Sequence, residues 1–344
     1  MKTGIVKDWR YLEHTMGEHH PESPKRLEVI YRMVEGEPAL ASLPCVEPRP
    51  AAEEEIASIH TPAYIESIRE TAHHPRVYLD PDTSTCPRSY EVARLAVGGL
   101  IEAAGRIMAG HLDNAFALVR PPGHHAEASQ ARGFCIFNNI AIAAEHLIQQ
   151  HALRRLLIVD WDLHHGNGTQ HAFYGRDDVL YFSVHQFPHY PGTGYWNEVG
   201  NGKGEGFTIN VPLAPGKTDE DYLFIFDRLL APVAAEFKPE FILVSAGFDI
   251  FAGDPLGGMM VSPAGFSALT HILLRLAQEF ASGRLLLSLE GGYNLRGLEE
   301  GVRNVLFTLK EGGAASYSRG ECSPTTMEEL RPVFQVVRKF WALE

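Results

Sequence analysis

Cysteine is scarce in this chain. Cys45, Cys86, Cys135 and Cys322 are its only four in 344 residues, far apart and with no Cys-x-x-Cys pair. That excludes a disulfide framework and a thiolate zinc site, and it suits a reducing cytosol. Basic residues are outnumbered, 30 Lys and Arg against 43 Asp and Glu, for a net charge of −13. Such a balance argues against direct nucleic-acid binding and against an anionic membrane surface. Neither an N-terminal apolar signal nor an apolar run of spanning length is visible, so a soluble cytoplasmic protein is expected. Gly-x-Gly-x-x-Gly, Gly-x-x-x-x-Gly-Lys and Gly-x-Ser-x-Gly are missing, which removes phosphate loops and a serine-hydrolase elbow.

The apolar run Leu156-Leu157-Ile158-Val159, closed by Asp160-Trp-Asp162-Leu-His164-His165, is the strongest positive signal. An apolar run bounded by polar residues reads as a buried parallel strand, and ligands of open α/β sheets gather at carboxyl ends of strands. Asp162 and His164, two apart on an extended chain, point the same way. The other expected strands are Ala115 to Val119, Val179 to His185, Phe241 to Ser245 and Leu285 to Leu289, with the first running from Leu156 to Asp162. Helical patterns cover Ser89 to Met108, Asn138 to Gln150, Asp219 to Phe237, Pro263 to Phe280 and Leu295 to Leu309. This alternation predicts one α/β domain over residues 1–344, a mostly parallel central sheet with helices on both faces. A terminal amphipathic helix is expected within Cys322 to Glu344. Each strand ends in polar or Gly-rich chain, as an active-site rim does.

Asp162, His164 and Asp249 offer two oxygens and a nitrogen, a donor set that suits catalytic zinc with one position left open. Taken singly, a strand-end Asp more often caps a helix or turn; the grouping on one strand end favours the metal. His124-His125, after Arg120-Pro-Pro-Gly, suits proton transfer near neutral pH, although adjacent histidines also occur at 19, 73 and 164. Tyr293, on Glu290-Gly-Gly, can donate to a developing oxyanion or be an ordinary buried phenol.

Arg120-Pro-Pro-Gly-His-His, Asp160-Trp-Asp-Leu-His-His-Gly-Asn-Gly-Thr-Gln, Pro191-Gly-Thr-Gly, Ala246-Gly-Phe-Asp, Gly253-Asp-Pro-Leu-Gly and Leu289-Glu-Gly-Gly-Tyr together resemble the zinc-dependent histone deacetylase family. The resemblance runs in order from His19-His20 to Tyr293. Trp161, Asn167 and Phe248 look like the class II branch, and bacterial acetylpolyamine amidohydrolases share much of the pattern. The resemblance implies the arginase–deacetylase fold and a zinc ion held by Asp162, His164 and Asp249. It implies that His125 is general base and then acid, that His124 stabilises charge while bonded to Asp160, and that Tyr293 holds the substrate carbonyl. It also implies a potassium or sodium ion near Asp160 and Ser183, with carbonyls of Asp162, His164 and Val184. A second monovalent ion would use carbonyls of Phe173, Arg176, Val179 and Phe207. Gly133-Phe134 and Tyr190, a position where Phe is commoner, would wall the substrate tunnel. Leu256 would stand at its gate, and Asp82 would anchor the substrate backbone. Asn167, where class I members carry Asp, would give His125 an amide partner and make it easier to deprotonate.

The resemblance makes acyl-lysine in peptides or proteins the expected substrate, with N-acetylpolyamines second, because Leu256 is not acidic and no long insertion closes the mouth. Iron(II) could replace zinc in a mixed donor set. A binuclear ureohydrolase needs a second Asp-x-Asp, and Phe251 stands where its acid would be. A non-catalytic acetyl-lysine-binding module would lack Tyr293 or a metal ligand, and this chain has them.

Overall fold

The computed structural model describes residues 1–312 and 321–343. Its ten strands are β1 Thr3–Val6, β2 Cys45–Val46, β3 Val77–Tyr78, β4 Ser84–Thr85, β5 Asn114–Ala117, β6 Leu156–Asp160, β7 Val179–Gln186, β8 Thr208–Leu213, β9 Phe241–Ala246 and β10 Leu285–Leu289. Eight form one sheet in the order β2-β1-β5-β10-β9-β6-β7-β8, and every pairing within it is parallel. β3 and β4 make a separate antiparallel pair. The central strands are buried along their whole length, which explains why they read as unbroken Leu, Ile, Val and Phe.

Helices Ser89–Met108 and Asn139–His151 pack on each other and on this sheet. Lys25–Gly36, Pro263–Phe280 and Leu295–Glu311 form a second packed group against it. The predicted fold is therefore the observed one, a parallel sheet flanked by helices. The terminal helix runs Pro324–Val337; Glu344, the end of the stretch in which it was expected, lies outside the described residues, as do residues 313–320.

Three local expectations change; β5 runs Asn114–Ala117 and so ends two residues before the expected Val119. The stretch 219–237 is not one helix: Asp219–Ile225 and Ala231–Phe237 flank a π-helical turn at Phe226–Leu230. Pro232 has no N–H to continue the ladder, so the turn before it widens. β6 stops at Asp160, not Asp162. Beyond it, side-chain carboxylates replace strand partners. Asp160 Oδ1 accepts from Asp162 N at 3.1 Å, Asp162 Oδ1 from His164 N at 2.8 Å, and Asp249 Oδ1 from Leu163 N at 2.9 Å. The acids thus shape the loop that carries them.

Candidate metal centre and tunnel

β6 and β9 are neighbours in register, Asp160 opposite Ser245, so the loops leaving their carboxyl ends meet. They bring together Asp162, His164 and Asp249, each offering a ligand atom within 4.8 Å of the others. All three are buried. His164 Nδ1 lies 3.1 Å from Asp162 Oδ1 and 3.2 Å from Asp249 Oδ2, and Asp249 Oδ2 has no hydrogen-bond donor. Burial, then the neighbouring charge of Asp162, pushes the Asp249 carboxyl up to about 7. Two buried carboxylates converging on one imidazole are short of positive charge, which a divalent cation would supply. The donor set fits zinc.

The glycine loop after β10 closes over this cluster. A Cβ at Gly291 would stand 2.1 Å from Asp249 Oδ2 and 2.7 Å from Asp162 Oδ2, so only glycine lets the backbone pass. Its N–H donates to Asp162 Oδ2 at 2.8 Å.

The two histidines of the turn after β5 meet different neighbours. His124 Nδ1 is 3.0 Å from Asp160 Oδ2, and its Nε2 is 3.8 Å from Asp162 Oδ1. Burial opposes its charge, yet Asp160 and Asp162 overcome that and raise it to about 10. His125 Nδ1 is 2.8 Å from Asn167 Oδ1; burial, then the charges of His124 and His164, hold it well below the usual imidazole range. The two adjacent histidines are thus pushed in opposite directions, as acid–base sites require.

His125, His164 and Tyr293 face a cavity of about 360 Å³ whose lining also includes Phe134, Tyr190, Asp82 and Leu256. Tyr190 meets His125 edge-on, ring centres 5.1 Å apart, and Phe134 meets Tyr293 at 5.8 Å. Gly133 has φ +53°, and a Cβ there would lie 2.4 Å from His125 Cδ2. The wall thus presses directly on the histidine. Phe134 itself holds φ +69°, strained backbone for a non-glycine residue, and its N–H is fixed by Thr83 Oγ1 at 2.9 Å. Thr83 in turn donates to Asp82 Oδ1 at 3.0 Å. The Tyr293 phenol is kept neutral by burial.

The histone deacetylase domain family matches residues 20–309 of this chain. The chain belongs to the histone deacetylase family. Histone deacetylase HDA1 of Candida albicans is 41% identical over 90% of this chain, a probable deacetylase of Archaeoglobus fulgidus 40% over 86%, and polyamine deacetylase HDAC10 of Danio rerio 38% over 93%. The chain spans 41% of the first relative's length and 49% of the third's, but 83% of the archaeal one. Among solved structures, the HDA15 HD domain is similar with a TM-score of 0.92 and 38% identity, over 99% of this chain and 95% of that one. The fold is accordingly the arginase–deacetylase fold.

The residues expected to hold monovalent ions fall in two places. Asp160 and Ser183 are register partners at the site end of β6 and β7, with Val184 next along β7. Asp160 Oδ2 also accepts from the Tyr181 hydroxyl at 2.9 Å, and Ser183 Oγ is 2.9 Å from His185 Nδ1. Val179 begins β7 at its far end, near Phe173, Arg176 and Phe207, away from the tunnel. There Phe173 O accepts from Arg176 N and Phe207 O from Tyr181 N, leaving each carbonyl one lone pair.

Four residues with no role in the sequence reading support the site. Glu290 accepts from Gly123 N at 2.7 Å and His124 N at 3.2 Å, setting the histidine turn. Asp254 accepts from Tyr293 N at 2.7 Å, Asn294 N at 2.9 Å and Leu256 N at 3.0 Å, tying the tyrosine loop to Leu256. Arg26 donates to Gly292 O at 2.7 Å and Glu290 O at 2.5 Å, with its guanidinium 5.1 Å from the centre of the Tyr293 ring. Glu127 accepts from Asn167 Nδ2 at 2.5 Å. Glu290 and Asp254 stand beside Gly291 and Gly253 in glycine-rich segments, and an acid next to such a glycine is a local signal. Arg26 has a local partner in Glu22, but the two carbonyls that tie it to the site are over 260 residues away, so no local signal points there.

No helix among the described residues is long and apolar enough to cross a membrane.

Proposed function

We propose that this chain is a zinc-dependent amidohydrolase that removes acetyl or other acyl groups from the ε-amine of lysine in peptides or proteins. The observation that carries the reading is one cavity lined by His125, Tyr293 and two aromatic walls, with His164 linking it to the buried Asp162 and Asp249. Zinc bound by Asp162, His164 and Asp249 would acidify water and polarise the acyl carbonyl. The chain's own groups do the rest. His125, its Nδ1 engaged by Asn167, has Nε2 free to take the proton of the attacking water. Tyr293 donates its hydroxyl to the carbonyl oxygen as negative charge grows there. His124, cationic beside Asp160, offsets that charge. The proton held on His125 then passes to the departing amine. Phe134 and Tyr190 sandwich the aliphatic stem, and Asp82 holds the substrate backbone at the rim.

Potassium or sodium beside Asp160 and Ser183, and a second ion among the carbonyls of Phe173, Arg176, Val179 and Phe207, belong to the same proposal, as do a single domain over 1–344 and a cytoplasmic setting. Leu256 at the gate gives no carboxylate to a cationic amine, which favours acyl-lysine over acetylpolyamine.

The test compares turnover of zinc-loaded protein on an acetyl-lysine peptide and on N-acetylputrescine, each with a chelator control. Faster, chelator-sensitive cleavage of the peptide is expected. Faster cleavage of acetylputrescine would overturn the substrate assignment, and cleavage of neither would overturn the activity.

A further inference from the structure

The amide on which His125 rests has two ends, and they are not equivalent. An Asn side chain can turn either its oxygen or its NH₂ toward a ring nitrogen, at little difference in shape. If the oxygen faces His125 Nδ1, that nitrogen must carry the proton, and Nε2 keeps the lone pair that a base needs. If the NH₂ faces it, the proton moves to Nε2 and the base is lost. A carboxylate in place of Asn167 would raise no such question, since both its oxygens accept. This chain has Asn167, so something must choose.

Glu127 is placed to choose. Asn167 is buried; its Nδ2 lies 2.5 Å from Glu127 Oε1 and 3.3 Å from the backbone oxygen of His125. Both are acceptors only, so the NH₂ is claimed from two sides and Oδ1 is left for His125 Nδ1 at 2.8 Å. Turning the amide over would set its oxygen against a carboxylate at 2.5 Å, and repulsion there forbids it. Glu127 is itself held from outside. His171 Nδ1 is 2.9 and 3.0 Å from its two oxygens, and that hydrogen bond, against partial burial, raises the imidazole's affinity for its proton. The side chain of Glu127 is 18% exposed and that of His171 50%, so a chain of contacts runs His125–Asn167–Glu127–His171 from the tunnel to solvent.

We propose that Glu127 is a positioning residue that fixes the Asn167 amide and thereby keeps His125 in the Nδ1–H tautomer, with Nε2 free. Glu127 replaces by orientation what a carboxylate at position 167 would supply by charge. The proposal rests on His125 as the base, and the experiment separates the two ideas.

The variants are E127A, N167D and E127A/N167D, each zinc-loaded. E127A is expected to lower kcat on the acetyl-lysine peptide about ten-fold or more, with KM and zinc content kept. N167D alone sets two carboxylates against each other and also loses activity. Together the two changes restore kcat to within about three-fold of the parent, because a carboxylate at position 167 needs no orienting. A role of Glu127 in mere packing gives no such rescue. Undiminished kcat in E127A, or a double variant no faster than E127A, overturns the proposal. Independently of turnover, ¹⁵N shifts of the His125 ring, assigned with H125Q, should show one Nδ1–H tautomer in the parent and a mixture in E127A. The same single tautomer in E127A also overturns it. Should the parent cleave neither substrate, the functional reading fails while the ring shifts still decide the role of Glu127.

Discussion

Replacing Glu22 by Gln removes one charge from a fully buried cluster without changing its shape. Glu22 Oε2 accepts from Arg120 Nη2 at 2.7 Å, Oε1 is bonded by Arg120 Nε, and Arg26 Nη1 is 3.0 Å from Oε1. Burial alone would raise this carboxyl; Arg120, then Arg26, more than reverse that and hold it at about 2 instead of 4.5. The difference corresponds to roughly 3 kcal/mol, within the ~3–5 kcal/mol typical of breaking a buried pair. Because the folded value is the lower one, the stabilisation is complete above pH 4.5 and disappears as pH falls through 2. The assay is urea unfolding of parent and E22Q at about pH 7 and about pH 3, both with chelator so that metal release does not enter. The stability gap should be about 3 kcal/mol at the higher pH and roughly 1.5 kcal/mol at the lower. An equal gap at the two pH values would show that Glu22 is not the ionised hub of this cluster. Arg26 also carries the Tyr293 loop, so E22Q should lower kcat at neutral pH.

Tyr293→Phe should reduce kcat by about 10²–10³-fold with zinc content unchanged, read by steady-state kinetics and metal analysis. Asp249→Asn should lose zinc affinity, yet in the metal-free state it should melt at a higher temperature than the parent, because it relieves two converging buried carboxylates; a lower melting point would contradict that electrostatic reading. Gly133→Ala must push a Cβ toward His125 from a left-handed backbone, and a kcat loss with little change in overall melting is expected. Leu256→Glu should move relative kcat/KM toward N-acetylputrescine; no movement would remove the gate from the specificity argument.

Strands β6, β7, β9 and β10 were legible because each opens on an apolar run of three or more residues within a parallel sheet. β1 and β8 were not. Thr3-Gly-Ile-Val is only four residues long, and Thr208-Ile-Asn-Val-Pro-Leu carries Asn210 and Pro212, which read as loop. β8 is an edge strand, where a missing N–H costs little. The candidate metal ligands were legible because they follow β6 and β9, and the histidine pair because it follows β5, all at carboxyl ends of sheet strands. Glu127 and Arg26 were hidden for a different reason. Each acts through a partner distant in sequence, Asn167 in one case and the Gly292 carbonyl in the other, and neither spacing nor period reports such a pair.

The strand order has a consequence for synthesis. β9 and β10 lie between β5 and β6, so before they are made the chain can form only two separate three-stranded ribbons, β2-β1-β5 and β6-β7-β8. Asp249 and Tyr293 arrive with those same late strands. A nascent chain that has emerged only through β8 already carries His124, His125, Asp162 and His164, but with the sheet still split and one metal ligand missing. The candidate ligand set is therefore complete once β9 and Asp249 have been made, before β10 can join the two halves of the sheet. The exposed edges of β5 and β6 are the places where a stalled or truncated chain would aggregate.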